Sequence, residues 1–386
     1  MRRRLLLPLV LSSSCVLAIA CSSSGGSNDQ PQDSGAIDDD TTPPVDTFEA
    51  GPPPPYQVPL FDDAHIGSDS SKPDFQKVAV DLPPLHDAPF ANVKLVLDLT
   101  SPCYPWSNWT TDKPPAGQNW PADCDAFDRN FETWLVDPSA DPTTTPSFEL
   151  VRAITPFGGP EHVEEDVTDF FNALAKSGDD KTRSLEIHIS TWSDGAGKVS
   201  GSNGGWFVSA HIEVTPGDAP ANALAVIPLY NGTWDSTSTA VTVPFTLPGD
   251  TTSARIEYRV TGHGGASVTD SACIGPADEF CKRKHHVLLD GASLQDLTPW
   301  RTDCAKLCTI TTGSPFGSYC LENPCGAPSS VRAPRANWCP GSETPPFTWT
   351  PDSLDAPGDH TWGFSIDGVP DGASWRVSAT LIAFGD

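Results

Sequence analysis

The stretch "KVAVDLPPLHDAPFANVKLVLDL", residues 77–99, contains the pattern that decides the fold. Apolar and polar residues alternate in its first six positions and again near its end, and a turn rich in Pro and Asp separates the two runs. Alternation with a period of two places every second side chain on one face of a β-strand. The stretch therefore predicts two strands of a sheet that is buried on one face.

The same signal recurs along most of the chain. Strand-like runs occur at residues 148–154, 184–191, 206–214, 224–230, 240–247, 253–260, 285–291, 360–366 and 375–384, with turns of Gly, Pro, Asp and Ser between them. Only residues 167–178 have a helical pattern, with Thr168 as the expected N-cap. No repeat of roughly 20–50 residues is present, which argues against a propeller or a solenoid. We predict an all-β chain of sandwich or jelly-roll domains.

The N-terminus has the pattern of a bacterial export signal. An apolar run follows three arginines, and "LAIAC" at residues 17–21 places small residues before Cys21. This pattern predicts a lipoprotein signal peptide at residues 1–21 with a lipidated Cys21; an ordinary signal peptide is the alternative. Residues 22–58, mostly Ser, Gly, Asp and Pro, predict a disordered tether. We expect an exported protein that its lipid anchors to the bacterial cell envelope, at the outer membrane.

The residues after the tether are too many for one hydrophobic core, so we predict two domains, 59–216 and 217–386. The boundary is placed in the turn-rich segment 215–222. The formal net charge of −27 argues against nucleic acid or an anionic membrane surface as a partner, because both attract clustered Lys and Arg. We expect a monomer that meets the membrane only through its N-terminal lipid.

Cysteines are frequent after the tether. Nine of the 11 cysteines lie there, at positions 103, 124, 273, 281, 304, 308, 320, 325 and 339. In an exported chain such cysteines are expected to form disulfides, and an odd number leaves one thiol over. Zinc is the alternative for Cys304 and Cys308, whose spacing suits two ligands, although the other spacings do not repeat as they do in zinc fingers.

Three short motifs place charged residues beside a cysteine. They are "DCDAFDRN" at residues 123–130, "CIGPADEFC" at residues 273–281 and "RANWC" at residues 335–339. Paired carboxylates are the usual means of hydrolysing an amide or a glycosidic bond. A disulfide fixes the backbone beside them, as a site requires. Surface loops that are stapled for stability, with their charges facing water, are the alternative.

The motifs together resemble the peptide-N-glycosidase F family of bacterial N-glycanases. In chain order they are "CDAFDR" at 124–129, "FELVRAITPFG" at 148–158, "DVTDF" at 166–170, "STW" at 190–192, "EFC" at 279–281 and "RANWCPG" at 335–341. The resemblance implies two side-by-side antiparallel jelly rolls with an active site at their interface. It also implies hydrolysis of the amide between asparagine and the first N-acetylglucosamine of an N-linked glycan, with aspartate left on the peptide. Neither a cofactor nor a metal is implied.

The resemblance also assigns residues. Asp128 matches the principal catalytic carboxylate, and Glu279 matches a second carboxylate, which we expect to bind and orient the core sugar. Arg129 matches the arginine beside that carboxylate, and Arg335 matches an arginine that lines the cleft; either one is expected to stabilise the developing oxyanion. Trp192 matches a tryptophan that lines the same cleft.

The chain departs from the family pattern at two places near the expected site. Ser190 stands where the family has a glutamate that assists catalysis, and Glu186 and His188 on the same strand face are candidates to replace it. The loop between the first two cysteines of the body is also long, and it contains three tryptophans at positions 106, 109 and 120. Trp120 and its neighbours are expected to stack on sugar rings or, alternatively, to form a small core of the loop.

Spacing along the chain suggests how the cysteines pair. The expected pairs are Cys103 with Cys124, Cys273 with Cys281, and Cys304 with Cys339. Two of the cysteines at 308, 320 and 325 are expected to pair, and the sequence leaves open which two.

Three rival functions make different demands on the sequence. A surface lipoprotein that binds N-glycans without cleaving them is the main alternative, and a glycosidase that cuts between sugars is another. Copper monooxygenases share the twin jelly-roll architecture, but they need clustered histidines and usually a methionine ligand. Met1 is the only methionine and no His-x-His pair is present, which argues against copper.

Overall fold

A computed structural model describes residues 51, 53–141, 144–178, 180–264, 271–314 and 317–386. The predicted signal peptide with Cys21 and nearly all of the predicted tether lie outside the described residues. The first strand begins at Tyr56, so the folded body starts earlier than the predicted residue 59. Tyr56 and Val58 alternate with the exposed Gln57 and Pro59 and pack on the core, which explains why this end of the predicted tether is a strand.

The chain forms two sets of strands. The N-terminal half, up to residue 216, contains β1 (Tyr56–Ile66), β2 (Lys77–Leu82), β3 (Phe90–Thr100), β4 (Asn130–Val136), β5 (Phe148–Ile154), β6 (Glu161–Asp166), β7 (Arg183–Ile189) and β8 (Trp206–Pro216). The C-terminal half contains β9 (Ala223–Asp235), β10 (Val241–Leu247), β11 (Ser253–Gly264), β12 (His285–Leu289), β13 (Ala292–Leu297), β14 (Ile310–Ser314), β15 (Gly317–Cys320), β16 (Ser342–Glu343), β17 (Phe347–Trp349), β18 (Gly358–Ile366) and β19 (Ala373–Phe384).

Each half is a sandwich of two antiparallel sheets. In the N-terminal half, the sheet β1-β8-β3-β6 and the sheet β16-β5-β4-β7-β2 enclose one apolar core. In the C-terminal half, the sheets β17-β11-β19-β9 and β10-β18-β12-β13 enclose a second core. The alternating runs bury every second residue, as in β8, where buried and half-buried positions alternate throughout. The predicted all-β architecture is confirmed, while the exact boundary at residue 216 remains a prediction.

Main-chain and charged contacts join the two halves. Strand β16 of the C-terminal half pairs with β5 of the N-terminal half, with Ser342 opposite Ile154. Beside it, the fully buried Arg152 donates a 2.6 Å hydrogen bond from Nη1 to the carbonyl of Arg376. Buried charged groups with complete partners resist displacement, so these contacts hold the seam between the halves in one arrangement.

The one predicted helix is present as α1 (Thr168–Lys176). Thr168 is its first residue rather than its N-cap, which corrects the prediction. The Thr168 hydroxyl donates to Asp166 at 2.6 Å and accepts the Val93 N–H at 2.8 Å, so the side chain fixes the helix to β3. In the described part of the chain, no helix has the length and apolar character needed to cross a bilayer.

Candidate functional site

The motif at residues 123–130 is a turn that leads into β4 and is fixed from several sides. Cys124 is bonded to Cys103, and Asp125 beside it is fully buried. Arg129 donates to both carboxylate oxygens of Asp125, from Nε at 2.7 Å and from Nη2 at 3.0 Å. Burial raises the pKa of Asp125, and the Arg129 guanidinium works in the opposite direction. The local i,i+4 ion pair therefore holds the turn closed.

Thr155, just after β5, fixes the backbone on both sides of Asp128. Its hydroxyl accepts the N–H of Arg129 at 2.8 Å and donates to the carbonyl of Phe127 at 2.9 Å. Its own N–H donates to the carbonyl of Arg129 at 2.9 Å. The Asp128 side chain is thus presented from a rigid backbone, as the sequence-based prediction of a fixed acidic residue requires.

Asp128, Arg335 and Glu279 form one cluster, which we call the carboxylate–arginine triad. Nη2 of Arg335 lies 3.8 Å from a carboxylate oxygen of Asp128, and Nη1 donates to Glu279 at 2.6 Å. The three residues come from both halves of the chain. The structure therefore brings together the two predicted catalytic acids and one of the two predicted arginines.

Arg335 is held firmly between the two acids. Its side chain is fully buried, and Nη2 donates to both the carbonyl and the hydroxyl of Ser330 at 2.9 Å. The guanidinium carbon lies 4.7 Å from the ring centre of Phe280 and 4.4 Å from that of Trp338. The hydrogen bonds to Ser330 and the two aromatic contacts hold the guanidinium in place, so its charge stays beside Asp128.

Glu279 lies on a single 3₁₀ turn, Asp278–Phe280, inside the loop that the disulfide between Cys273 and Cys281 closes. The fully buried Asp278 of this turn forms an ion pair with Arg283. The carbonyl of Glu279 accepts the N–H of Ala336, the residue after Arg335. The loop and the arginine segment are therefore joined by their main chains as well as by the side-chain ion pair.

The triad contains a carboxyl group that titrates near neutral pH. Loss of solvent around Asp128 raises its pKa, Arg335 lowers it and the like charge of Glu279 raises it, with a net value of about 7. Burial also raises the pKa of Glu279, which Arg335 opposes. When both acids are ionised, the triad carries one net negative charge and the two carboxylates repel each other. Protonation of one of them removes this repulsion.

Arg129 forms its hydrogen bonds outside the triad, and its role at the oxyanion stays a prediction. Its guanidinium is occupied by Asp125, and Nη2 also donates to the carbonyl of Trp192 at 3.2 Å. The same carbonyl accepts the Ser200 hydroxyl at 2.8 Å. The backbone carbonyl of Trp192 is therefore fixed, while the residue as a whole remains 52% exposed. Arg129 positions this tryptophan, and Arg335 is the better placed of the two arginines to meet an oxyanion.

Ser190 is exposed directly after β7, and its N–H donates to the carbonyl of Asn130 at 3.1 Å. The two proposed replacements for the missing glutamate are engaged elsewhere. His188 lies 2.8 Å from Glu186 and stacks on Trp134 with ring centres 3.8 Å apart. Neither side chain joins the triad within the described part of the chain, which leaves the Ser190 position without a substitute from these two residues.

The tryptophan-rich loop folds on itself. The ring of Trp109 lies 5.2 Å from Trp106 and 5.9 Å from Trp120, each in an edge-on arrangement. Trp109 and Trp120 pack against the disulfide of Cys103 and Cys124, and the indole N–H of Trp120 donates to the carbonyl of Lys198 at 3.2 Å. These contacts favour the small-core alternative over a free stacking surface.

The structure contains the three predicted disulfides and resolves the open pairing. Cys308 pairs with Cys320, and Cys325 is a free thiol whose pKa burial raises to about 12. Within the described residues, the only group of three close metal-binding side chains is Asp303 with Cys304 and Cys339. Those two sulfurs are bonded to each other, and Cys308 is in a different disulfide, so the zinc alternative is wrong.

Sequence reasoning missed the charged residues at the seam between the halves. Glu132 on β4 is almost fully buried and accepts two hydrogen bonds from Arg376, at 2.9 Å and 2.7 Å. The two residues are 244 positions apart in the chain, so no local spacing links them. Their only sequence signal is a charged residue inside an otherwise apolar strand pattern.

Comparisons with known proteins give the fold a family context. Residues 230–382 match a family model described as peptide-N-glycosidase F, C terminal. No curated protein matches the chain. Among solved structures, PNGF-II superposes with a TM-score of 0.63 at 22% identity, covering 86% of this chain and 65% of its own. The chain thus spans about two thirds of PNGF-II.

Two further structures match over nearly their whole length. A peptide-N(4)-(N-acetyl-β-D-glucosaminyl) asparagine amidase has a TM-score of 0.61 at 19% identity, with 86% of this chain and 96% of that chain covered. PNGase F, described as a glycosylasparaginase from Flavobacterium meningosepticum, has a TM-score of 0.61 at 18% identity, with the same coverage. The chain therefore has a twin jelly-roll fold of antiparallel sheets. More particularly, it has the fold of peptide-N-glycosidase F, as the motifs implied.

Proposed function

We propose that the protein hydrolyses the amide bond between asparagine and N-acetylglucosamine in N-linked glycopeptides and glycoproteins. The observation that carries this proposal is the triad, in which the rigid Arg335 lies between Asp128 and Glu279 at a seam of two jelly rolls. An amidase needs a base for water, a proton for the leaving amine and a positive group for the oxyanion. The triad offers all three within a few ångströms.

In the first step, ionised Asp128 removes a proton from the attacking water. The water oxygen forms a bond to the amide carbon, and the carbonyl becomes an oxyanion. The buried guanidinium of Arg335 stabilises this negative charge, and it does so strongly because little solvent surrounds it. A carboxyl with a pKa of about 7 is ionised in a large fraction of molecules at neutral pH and is still a useful base.

In the second step, the proton held by Asp128 passes to the departing nitrogen. The C–N bond breaks, the glycan leaves as a glycosylamine, and the asparagine side chain becomes aspartate. Glu279 is 24% exposed and fixed by its bond to Arg335, so its carboxylate accepts hydrogen bonds from the hydroxyl groups of the core sugar. The half-exposed Trp192 supplies an apolar face for the same sugar.

The setting of the chemistry is an exported protein. The four disulfides of the described residues are typical of an oxidising compartment. We include in the proposal a lipid on Cys21, which holds the protein on the bacterial cell envelope, and a monomeric state.

One observation favours a second function, N-glycan binding without cleavage. Ser190 stands where the resembled family has an assisting glutamate, and neither Glu186 nor His188 replaces it at the triad. Binding would need the cleft and Trp192 but not a second assisting acid.

The test is the rate of glycan release from a denatured N-glycoprotein, followed by mass spectrometry. Asp128→Asn is expected to lower kcat by at least about 100-fold, because the base of the first step is lost. Asp123→Asn makes the same chemical change five residues earlier in the same loop and serves as the matched control. Equal rates for Asp128→Asn and the parent would reject the amidase mechanism.

A further inference from the structure

Asn323 is a fully buried polar residue that takes no part in the proposed steps. It lies three residues after Cys320, the last residue of β15, which a disulfide joins to Cys308. A buried side-chain amide with complete hydrogen bonds fixes the groups that it contacts. The task of Asn323 therefore follows from the identity of its partners.

The Asn323 side chain bonds main-chain groups from both halves of the molecule. Its Oδ1 accepts the N–H of Phe157 at 2.8 Å, and its Nδ2 donates to the carbonyl of Pro340 at 3.2 Å. Phe157 follows β5 in the N-terminal half, and Pro340 precedes β16 in the C-terminal half. One planar amide therefore spans the seam and sets the spacing of two main chains.

Main-chain hydrogen bonds hold the Asn323 segment in the same place. The N–H of Cys325 donates to the carbonyl of Phe157 at 2.8 Å, so both polar main-chain groups of Phe157 are bound from this segment. The N–H of Asn323 donates to the carbonyl of Cys320, and its carbonyl accepts the N–H of Gly326, each at 3.0 Å. The side chain therefore projects from a fixed turn.

The segment also packs closely against the chain after β5. A Cβ atom added at Gly159 would lie 2.4 Å from the carbonyl oxygen of Glu322, and one added at Gly158 would lie 2.3 Å from Sγ of Cys325. Both separations are much shorter than van der Waals contact. Two glycines in succession therefore allow the close approach that the Asn323 hydrogen bonds require.

On the N-terminal side, the contact lies two residues from the residue that fixes Asp128. Thr155 holds the backbone on both sides of Asp128 by three hydrogen bonds. Pro156 joins Thr155 to Phe157, and its ring restricts the backbone between them. A displacement of Phe157 is therefore passed to Thr155 and on to Asp128.

On the C-terminal side, the contact lies five residues from Arg335. Pro340 directly follows Cys339, whose disulfide with Cys304 anchors this stretch of chain. Asn323 therefore joins the segment that carries the arginine of the triad to the chain after β5.

We propose that Asn323 is a positioning residue, whose side-chain amide sets the separation of Asp128 and Arg335 across the seam. The inference rests on the proposed function, because it takes Asp128 to be the base of the first step. It deepens that function by assigning a residue that acts through the triad rather than on the substrate.

The charged groups around Asp128 give this role a measurable sign. Burial raises the pKa of Asp128, and Arg335, whose Nη2 lies 3.8 Å away, lowers it more strongly than any other charge. Glu279 raises the pKa, and Arg129 lowers it weakly. If the separation from Arg335 grows by about 1 Å, the attraction weakens and the pKa of Asp128 should rise by about half a unit. Misplacement of that size also lowers kcat.

The experiment compares Asn323→Ala with a matched control, Asn172→Ala. Asn172 is also buried, and its side-chain amide likewise makes two main-chain hydrogen bonds, both to Phe90 at 2.9 Å. Both variants should lose stability. Only Asn323→Ala should raise the pKa of Asp128 by about half a unit in an NMR titration. It should also lower kcat at least about tenfold, with KM changed by less than about twofold.

Asn323→Ser leaves a hydroxyl that can bond one of the two main-chain groups. It should restore part of kcat, and its pKa shift decides the question if Asn323→Ala does not fold. An unchanged pKa of Asp128 in the folded Asn323 variant, or an equal rise in Asn172→Ala, would overturn the proposal. If the parent protein releases no glycan, the proposed function fails, whereas the NMR titrations still decide whether Asn323 sets the geometry of the triad.

Discussion

Removing the positive charge of Arg335 should change the pH at which Asp128 ionises. The guanidinium nitrogen lies 3.8 Å from the Asp128 carboxylate, and it favours the ionised form. Two unit charges at that distance interact by about 1 kcal/mol in water and by about 4 kcal/mol at an effective dielectric constant near 20. Asp128 is mostly buried, but the 17% of its side chain that stays exposed lets solvent screen the attraction below the upper figure, so Arg335→Gln should raise the pKa of Asp128 by about one to two units.

The assay is kcat/KM against pH, which reports ionisations of the free enzyme. If ionised Asp128 is the base, the parent rate rises with pH through about 7, and the rise in Arg335→Gln occurs about one to two units higher. Arg335→Lys keeps the charge but not the planar guanidinium, so its rise should stay near that of the parent while the rate falls. NMR titration of the Asp128 carboxyl gives the same shift without activity. If kcat/KM rises at the same pH in folded Arg335→Gln as in the parent, the assignment of Asp128 as the base is refuted.

Three further predictions concern positioning and stability. Arg129→Ala should raise KM more than it lowers kcat, because the fixed carbonyl of Trp192 loses a partner, and Arg129→Lys should restore part of the loss in steady-state kinetics. Burial and a neighbouring glutamate raise the pKa of Glu343 to about 8, so the contribution of Glu343 to stability should be full below about pH 4.5 and should be lost as pH rises toward 8. In urea unfolding between these pH values, Glu343→Gln should remove this part of the pH dependence, and an unchanged slope would contradict it. Replacing Cys103 and Cys124 by alanine should lower the unfolding free energy by about 3 kcal/mol, since their disulfide closes a loop of 21 residues. A loss below about 1 kcal/mol would show that other contacts fix the loop.

The sequence predicted the strands whose apolar pattern is clear within a short stretch of the chain. Lys77–Leu82 has the predicted bounds because one face meets the core and alternation follows directly. Phe148–Ile154 also has the predicted bounds, although it is buried on both faces and its signal is a short apolar run between turns. β4 and β6 escaped prediction, since each carries buried or half-buried acids that break the apolar pattern. Glu132 is tolerated on β4 because Arg376, far away in sequence, neutralises it. Local pattern cannot supply such a partner.

The sequence likewise predicted some features of the candidate site and missed others. The acids Asp128 and Glu279 were identified from motifs, and the structure places both beside Arg335. That placement depends on how two sandwiches pack, which no window of sequence contains. The ion pair of Arg129 with Asp125 was not predicted although a local signal exists, because Asp125 four residues before it is a natural ion-pair partner for a turn.

The central claim is that this fold hydrolyses an asparagine-linked amide by means of Asp128. The most direct measurement is mass spectrometry of an N-glycopeptide incubated with the protein in water enriched in heavy oxygen. An aspartate carrying one heavy oxygen should replace the glycosylated asparagine; this product should be absent with Asp128→Asn and present with Asp123→Asn. Intact glycopeptide at every pH tested, with the parent protein folded, would contradict the account.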